Sequence, residues 1–111
     1  MTIACVTQAA DDGLPTVGSI ERLHPNIDAL IAPGVEIEVL ATGFAWSEGP
    51  VWVSHSDGGL PPQSLLFSDI PNNRIHCWNQ KTGLSVFLEP AGFTGPVSYG
   101  RERGSNGLAL D

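Results

Sequence analysis

An all-β fold is the class this sequence predicts, and three observations predict it. Gly and Pro are both frequent, 13 and 9 among 111 residues, as in chains of many short strands joined by turns. Beyond residue 34, apolar and polar residues alternate with period two in several stretches. One pattern also occurs twice, "SEGPVWV" at 47–53 and "SNGLALD" at 105–111. Each copy reads Ser, an oxygen-bearing side chain, Gly, then an apolar strand-like run.

Taken in order, residues 1–18 show little periodicity and are expected to form a disordered leader. Residues 19–34 keep helical spacing at Ile20, Leu23, Ile27, Leu30 and Ile31. Pro25 interrupts one long helix, so a turn and a short helix with Pro25 in its first turn are predicted. Residues 35–41, "VEIEVLA", alternate apolar and acidic positions as a strand with one wet face does. Further strands are predicted at 50–54, 64–70, 74–79 and 84–89, separated by "HSDGGLPPQ", "PNN" and "QKTG". A loop rich in Gly and Pro covers 90–104, and "NGLALD" opens another strand.

The four strands between residues 50 and 89 form one antiparallel meander, after which the opening motif returns. One such meander per repeat is the unit of a β-propeller. The spacing from Glu48 to Asn106 exceeds the roughly 40–50-residue blade repeat by about the length of the 90–104 loop. The expected architecture is one blade plus the first strand of the next, occupying 35–111 as a partial propeller domain. A lone blade exposes two faces and two edges, so further blades are expected to cover it.

Composition narrows the partners. With 41% hydrophobic and 15% charged residues the chain reads as globular. A net charge of -7 argues against nucleic acid, whose phosphates need a basic face. No apolar run reaches membrane-spanning length, so no membrane partner is expected. Cys5 and Cys77 make neither a disulfide framework nor a metal-spaced pair; Cys77 reads as a buried free thiol. The first 13 residues have a short apolar stretch without a basic start. They fit a cytoplasmic leader, or the tail of a signal peptide on a periplasmic or secreted protein.

In a propeller the first strand of each blade lines the central channel, so successive motif copies bring their second residues toward one axial point. Glu48 and Asn106 are both hard oxygen donors, of the kind that six- to eight-coordinate calcium takes. Gly49 and Gly107 let the backbone approach closely behind them. The plainer alternative is that each is a turn residue capping local backbone.

"GFAWSEGPVWV", "LLFSDIPNNRIHCWN", "SVFLEPAGFTG" and "GSNGLALD", together spanning nearly all of 35–111, resemble the SMP-30/gluconolactonase family. The resemblance implies a six-bladed β-propeller with a divalent metal in its channel, Ca2+ before Zn2+, hydrolysing a small-molecule lactone. Glu48 matches the family's metal-binding Glu. Asn106 matches an Asn that touches metal or substrate. A substrate-contacting Arg two positions earlier is Gly104 here, leaving Arg101 and Arg103 as candidate substrate contacts. The remaining ligands and the general base belong to later blades, so no catalytic base is expected in these 111 residues and the chain alone is expected to be inactive. The alternative is a non-catalytic blade fragment or binding module, or a piece that assembles with the remainder of the propeller.

Other residues have plainer readings. "SHSD" at 54–57 lacks the convergence from separate elements that a nucleophilic triad needs. His76 and Cys77 face opposite sides of one strand, which leaves His76 a surface or blade-packing residue. His24, before Pro25, is expected to be exposed. Asp69 is expected to bond amides of the turn after it. Trp46, Trp52, Phe67, Trp78 and Phe87 are assigned to packing between sheets, partly exposed wherever neighbouring blades are absent. Phe93 and Tyr99 are candidates to shape a pocket near the channel mouth, or to anchor the loop.

Overall fold

The computed structural model describes residues 13–56, 58–97 and 100–110. Cys5, Asp57, Tyr99, Asp111 and residues 1–12 of the leader assigned to 1–18 lie outside them. The chain divides into two compact units, Met1–Leu40 and Ala41–Asp111.

In the first unit the helical segment is a single 3-10 stretch, Pro25–Ala29, with Pro25 at its start. Proline suits that position because the missing N–H would be unpaired there anyway. The exposed His24 accepts from the Asn26 amide through Nδ1, 3.1 Å. Helical spacing did not yield an apolar face: Leu23 and Leu30 are each 83% exposed. Arg22 organises the segment instead, donating to the carbonyls of Ile31 and Ala32 at 2.8 and 2.7 Å and pairing with Asp28. The strand expected at 35–41 is reduced to an isolated bridge between Thr16 and Glu38, flanked by Val17 N–H to Ile37 O and Val39 N–H to Pro15 O. Residues 15–17 therefore hold a defined partner, contrary to the loose leader expected through residue 18. A two-stranded contact this short cannot propagate a ladder, whatever the alternation of its sequence.

The second unit is an antiparallel sheet of four strands in sequential order: β1 (Ser47–Val53), β2 (Ser64–Asp69), β3 (Arg74–Asn79) and β4 (Gly83–Leu88). This is the predicted meander. Turn chemistry sets the register. Asn73, at φ 56°, closes the β2–β3 turn, a conformation Asn tolerates better than most side chains. Asn79 Oδ1 accepts from the Lys81 amide across the β3–β4 turn. Asn79 also donates to the carbonyls of Pro62 and Gln63 and to Ser64 Oγ, fixing the loop before β2.

One face of the sheet carries the apolar core, Val53, Leu60, Leu66, Ile75 and Cys77, with Val51, Ala91 and Leu108 packed against it. Cys77 is a buried free thiol. On the other face Phe44, Phe67 and His76 form an aromatic cluster; Phe44 meets Phe67 edge-on at 4.8 Å, and His76 stacks on Phe67 at 5.4 Å. His76 is thus a packing residue, 7% exposed. Of the aromatics assigned to packing, Phe67 is buried, whereas Trp46, Trp52 and Phe87 are 44–47% exposed. The last strand is the barest: Leu84, Val86, Phe87 and Leu88 are all more than 40% exposed.

Leu66→Ala is expected to cost about 2–5 kcal/mol by emptying the core, while Leu23→Ala stays within about 0.5 kcal/mol. Urea titration followed by circular dichroism measures both.

Candidate functional site

Glu48 lies near the start of β1, opposite Ser68 of β2, and the register slips by one residue between Glu48 and Val51. This is a β-bulge, and its residues explain it. Gly49 takes φ 63°, the left-handed region that glycine enters without steric cost. Pro50 follows with no N–H to lend to the ladder.

The second motif lies directly against this bulge. A Cβ placed on Gly49 would stand 2.8 Å from the carbonyl oxygen of Asn106 and 2.8 Å from Gly107 Cα. Only a glycine allows the two copies to meet. Nothing comparable crowds Gly107, so the expected close approach belongs to the first copy alone. Residues 105–110 join no ladder, so the strand expected to open at residue 106 does not form.

Ser68 fastens the contact. Its side chain is fully buried, lies 2.9 Å from Ser105 Oγ, and donates to the Asn106 carbonyl at 2.8 Å. Reading the sequence missed Ser68, because a serine in a strand gives no signal of a partner nearly forty residues away. Across the strand from it, Glu48 is half-buried, and the Asn106 side chain is exposed. Among the described residues neither side chain has a hydrogen-bond or ion-pair partner.

Asp69 follows Ser68 and faces the other way. It is 1% exposed, and its carboxylate accepts from the amides of Trp46 at 3.1 Å and Ala45 at 3.2 Å and from Asn72 Nδ2 at 2.7 Å. The expected bonding to the following turn is thus corrected: only the Asn72 side chain comes from that turn, and the amides come from the segment leading into β1. That segment is held again by Ile70 N–H to Trp46 O, 3.2 Å. Burial pushes the Asp69 carboxyl up. The donors Asn72, Trp46 and Ala45, with His76 nearby, outweigh burial and hold its pKa below the ordinary 3.8.

The long loop folds over the same end of the sheet. Asn73 donates to Phe93 O and accepts from the Ala91 amide. Phe93 N–H donates to Arg103 O, and Gly104 N–H to Ile70 O. A Cβ on Gly104 would lie 2.9 Å from Ile70 O and 3.0 Å from Ile70 Cα, so this packing has no room for a side chain there. Arg103 and Phe93 line an open cavity of about 260 Å³ with Asn73, Gly95, Pro96 and Val97. Arg101 is exposed and outside that lining.

The donor chemistry of Glu48 and Asn106 fits an oxygen-seeking cation, one carboxylate and one amide with their side-chain oxygens uncommitted. Two donors supply only part of a calcium shell. Among the described residues no three His, Cys, Asp or Glu side chains converge as a metal site, and no helix is long and apolar enough to cross a membrane.

A four-stranded antiparallel meander with a second copy of its opening motif packed against its first strand has the form of a β-propeller blade. The chain is 40% identical over 113 aligned residues to a gluconolactonase of Zymomonas mobilis subsp. mobilis, an alignment covering 98% of the chain and 30% of that relative. The chain spans about a third of that relative's length. No family model and no solved structure matches the chain.

Gly49→Ala is expected to cost more than about 1 kcal/mol, since it adds backbone strain to a collision with Asn106. Thermal melting and faster proteolysis after residue 104 would report it. Because the folded-state pKa of Asp69 is depressed, its contribution is present at neutral pH and is lost as pH falls below 3.8 and through the folded pKa. Melting between pH 2 and 6 should show a decline at the acid end that Asp69→Asn, already weakened, shows less.

Proposed function

We propose that this chain is part of a metal-dependent lactone hydrolase. The observation that carries the reading is the 40% identity to a gluconolactonase across nearly the whole chain. The paired motifs support it, because they set two free oxygen donors on adjoining backbone. In this reading Glu48 and Asn106 hold a divalent cation, Ca2+ in preference to Zn2+ because the donors are hard oxygens. When bound, that cation would polarise the lactone carbonyl and stabilise the developing oxyanion. Glu48 stays ionised as a ligand and does not act as the base. In this reading the exposed Asn106 amide also contacts the substrate.

Arg103 and Phe93 are the chain's candidates for substrate contact, since they share a cavity at the sheet end where both motifs begin. Arg101 is a weaker candidate, being outside that cavity. No residue here serves as general base in this proposal, and the 111-residue chain alone is inactive. The alternative, a blade module without enzymatic activity, draws on the open strand β4 and its exposed apolar side chains.

The test is lactone hydrolysis, followed by acid release, in a complete protein containing this segment and in the 111-residue chain. Hydrolysis by the complete protein, lost with a chelator, restored by Ca2+ and abolished by Glu48→Gln, is the expected result. Full activity in the presence of chelator, or in Glu48→Gln, would refute the metal reading. Absence of hydrolysis with every sugar lactone offered would favour the blade module.

A further inference from the structure

Two consecutive residues at the end of β2 hold the second motif and the lead-in to the first, from opposite faces of the strand. Ser68 reaches the second motif through Ser105 Oγ and the Asn106 carbonyl. Asp69 reaches the lead-in to the first through the amides of Ala45 and Trp46, three and two residues ahead of Glu48. Both side chains are essentially without solvent exposure, 0% and 1%.

We infer that Ser68 and Asp69 are positioning residues for the Glu48–Asn106 pair, fixing where the two oxygen donors stand relative to each other. The inference rests on the cation reading above. Neither residue touches the cation; each acts through backbone. The geometry makes this more than a contribution to folding. Side chains of adjacent strand residues point to opposite faces, so the pair grips two chain segments that lie outside the β1–β2 ladder. Ser68 is also the register partner of Glu48 itself. A shift of Ser68 therefore moves the Asn106 carbonyl and the strand opposite Glu48 together.

The carboxylate at position 69 is what gives the grip direction. It offers acceptors only, and Ala45, Trp46 and Asn72 supply donors only. An amide in its place would turn one donor toward those N–H groups and break the arrangement while keeping its size. Ser68 works differently. One hydroxyl serves both the Ser105 hydroxyl and the Asn106 carbonyl, and alanine there loses both contacts.

The experiment uses Tb3+ as a luminescent stand-in for calcium, sensitised by tryptophan, titrated into the full chain and its variants below their melting temperatures. Partners behind a metal ligand commonly matter by roughly 10–100-fold in affinity, and a loss of that order is expected for Asp69→Asn and Ser68→Ala. Asn72→Ala removes one donor and leaves the carboxylate charged, so it serves as the milder variant should Asp69→Asn not fold; its expected loss is smaller but measurable. Asn79→Ala is the control, because it deletes buried hydrogen bonds at the opposite end of the sheet. It should lower the melting temperature and leave Tb3+ affinity unchanged.

Wild-type affinity in folded Ser68→Ala and Asn72→Ala, or an equal loss in Asn79→Ala, would overturn the positioning role while the cation reading stood. Glu48→Gln separates the two. Undiminished Tb3+ binding in that variant would remove the cation reading and the positioning role with it.

Discussion

The second unit depends on a buried carboxylate that has been given enough donors to stay charged. An unpaired carboxylate out of water is strongly disfavoured and ordinarily takes up a proton. Asp69 avoids this by collecting two backbone amides and one side-chain amide within 3.4 Å. Those donors come from two places, the segment before β1 and the turn after β2. Satisfying the charge therefore fixes the start of the first strand against the end of the second. The bulge at Gly49, the seat for the second motif and the stance of Glu48 all follow from that fixed start.

The neighbouring residue extends the constraint to the other motif. Ser68 is buried because Leu108 and the 105–110 segment cover that face, and its hydroxyl finds partners only in that segment. Asn73, Phe93, Arg103 and Gly104 tie the two arms of the long loop to each other and to the Ile70 turn. Exposed apolar side chains remain on β4, at Leu84, Val86, Phe87 and Leu88, and on β1 at the other edge of the sheet, at Trp52. They fit a chain that matches 30% of its relative's length, in which further blades would find these surfaces to cover.

Much of this was legible in the sequence. The meander was visible because turn residues punctuate it, and the four strands fall within a few residues of the positions that alternation and turns assign. The link between 47–53 and 105–111 was visible as a repeated pattern, and the need for glycine behind Glu48 as close backbone approach. What failed did so for a physical reason. Alternation at 35–41 describes a half-wet strand but supplies no partner, and only one bridge forms. Helical spacing at 20–31 describes a face that finds no cover among the described residues, and Leu23 and Leu30 stand exposed. The true destinations of Asp69 and Ser68 were hidden because a side chain's distant partner leaves no local trace. Gly104 was read as a missing arginine, whereas its backbone packs on Ile70 too closely for any side chain.

The most direct measurement of this account is a proton NMR distance between the two motifs. A Cβ on Gly49 would lie 3.1 Å from the Leu108 amide nitrogen, so the corresponding α-proton of Gly49 should give a clear nuclear Overhauser effect to the Leu108 amide proton. That cross-peak, present in the wild type and weakened in Ser68→Ala, is the expected result. Its absence in a chain whose β1–β2 cross-strand peaks are intact would contradict the seating of one motif on the other, and with it the pairing of Glu48 and Asn106.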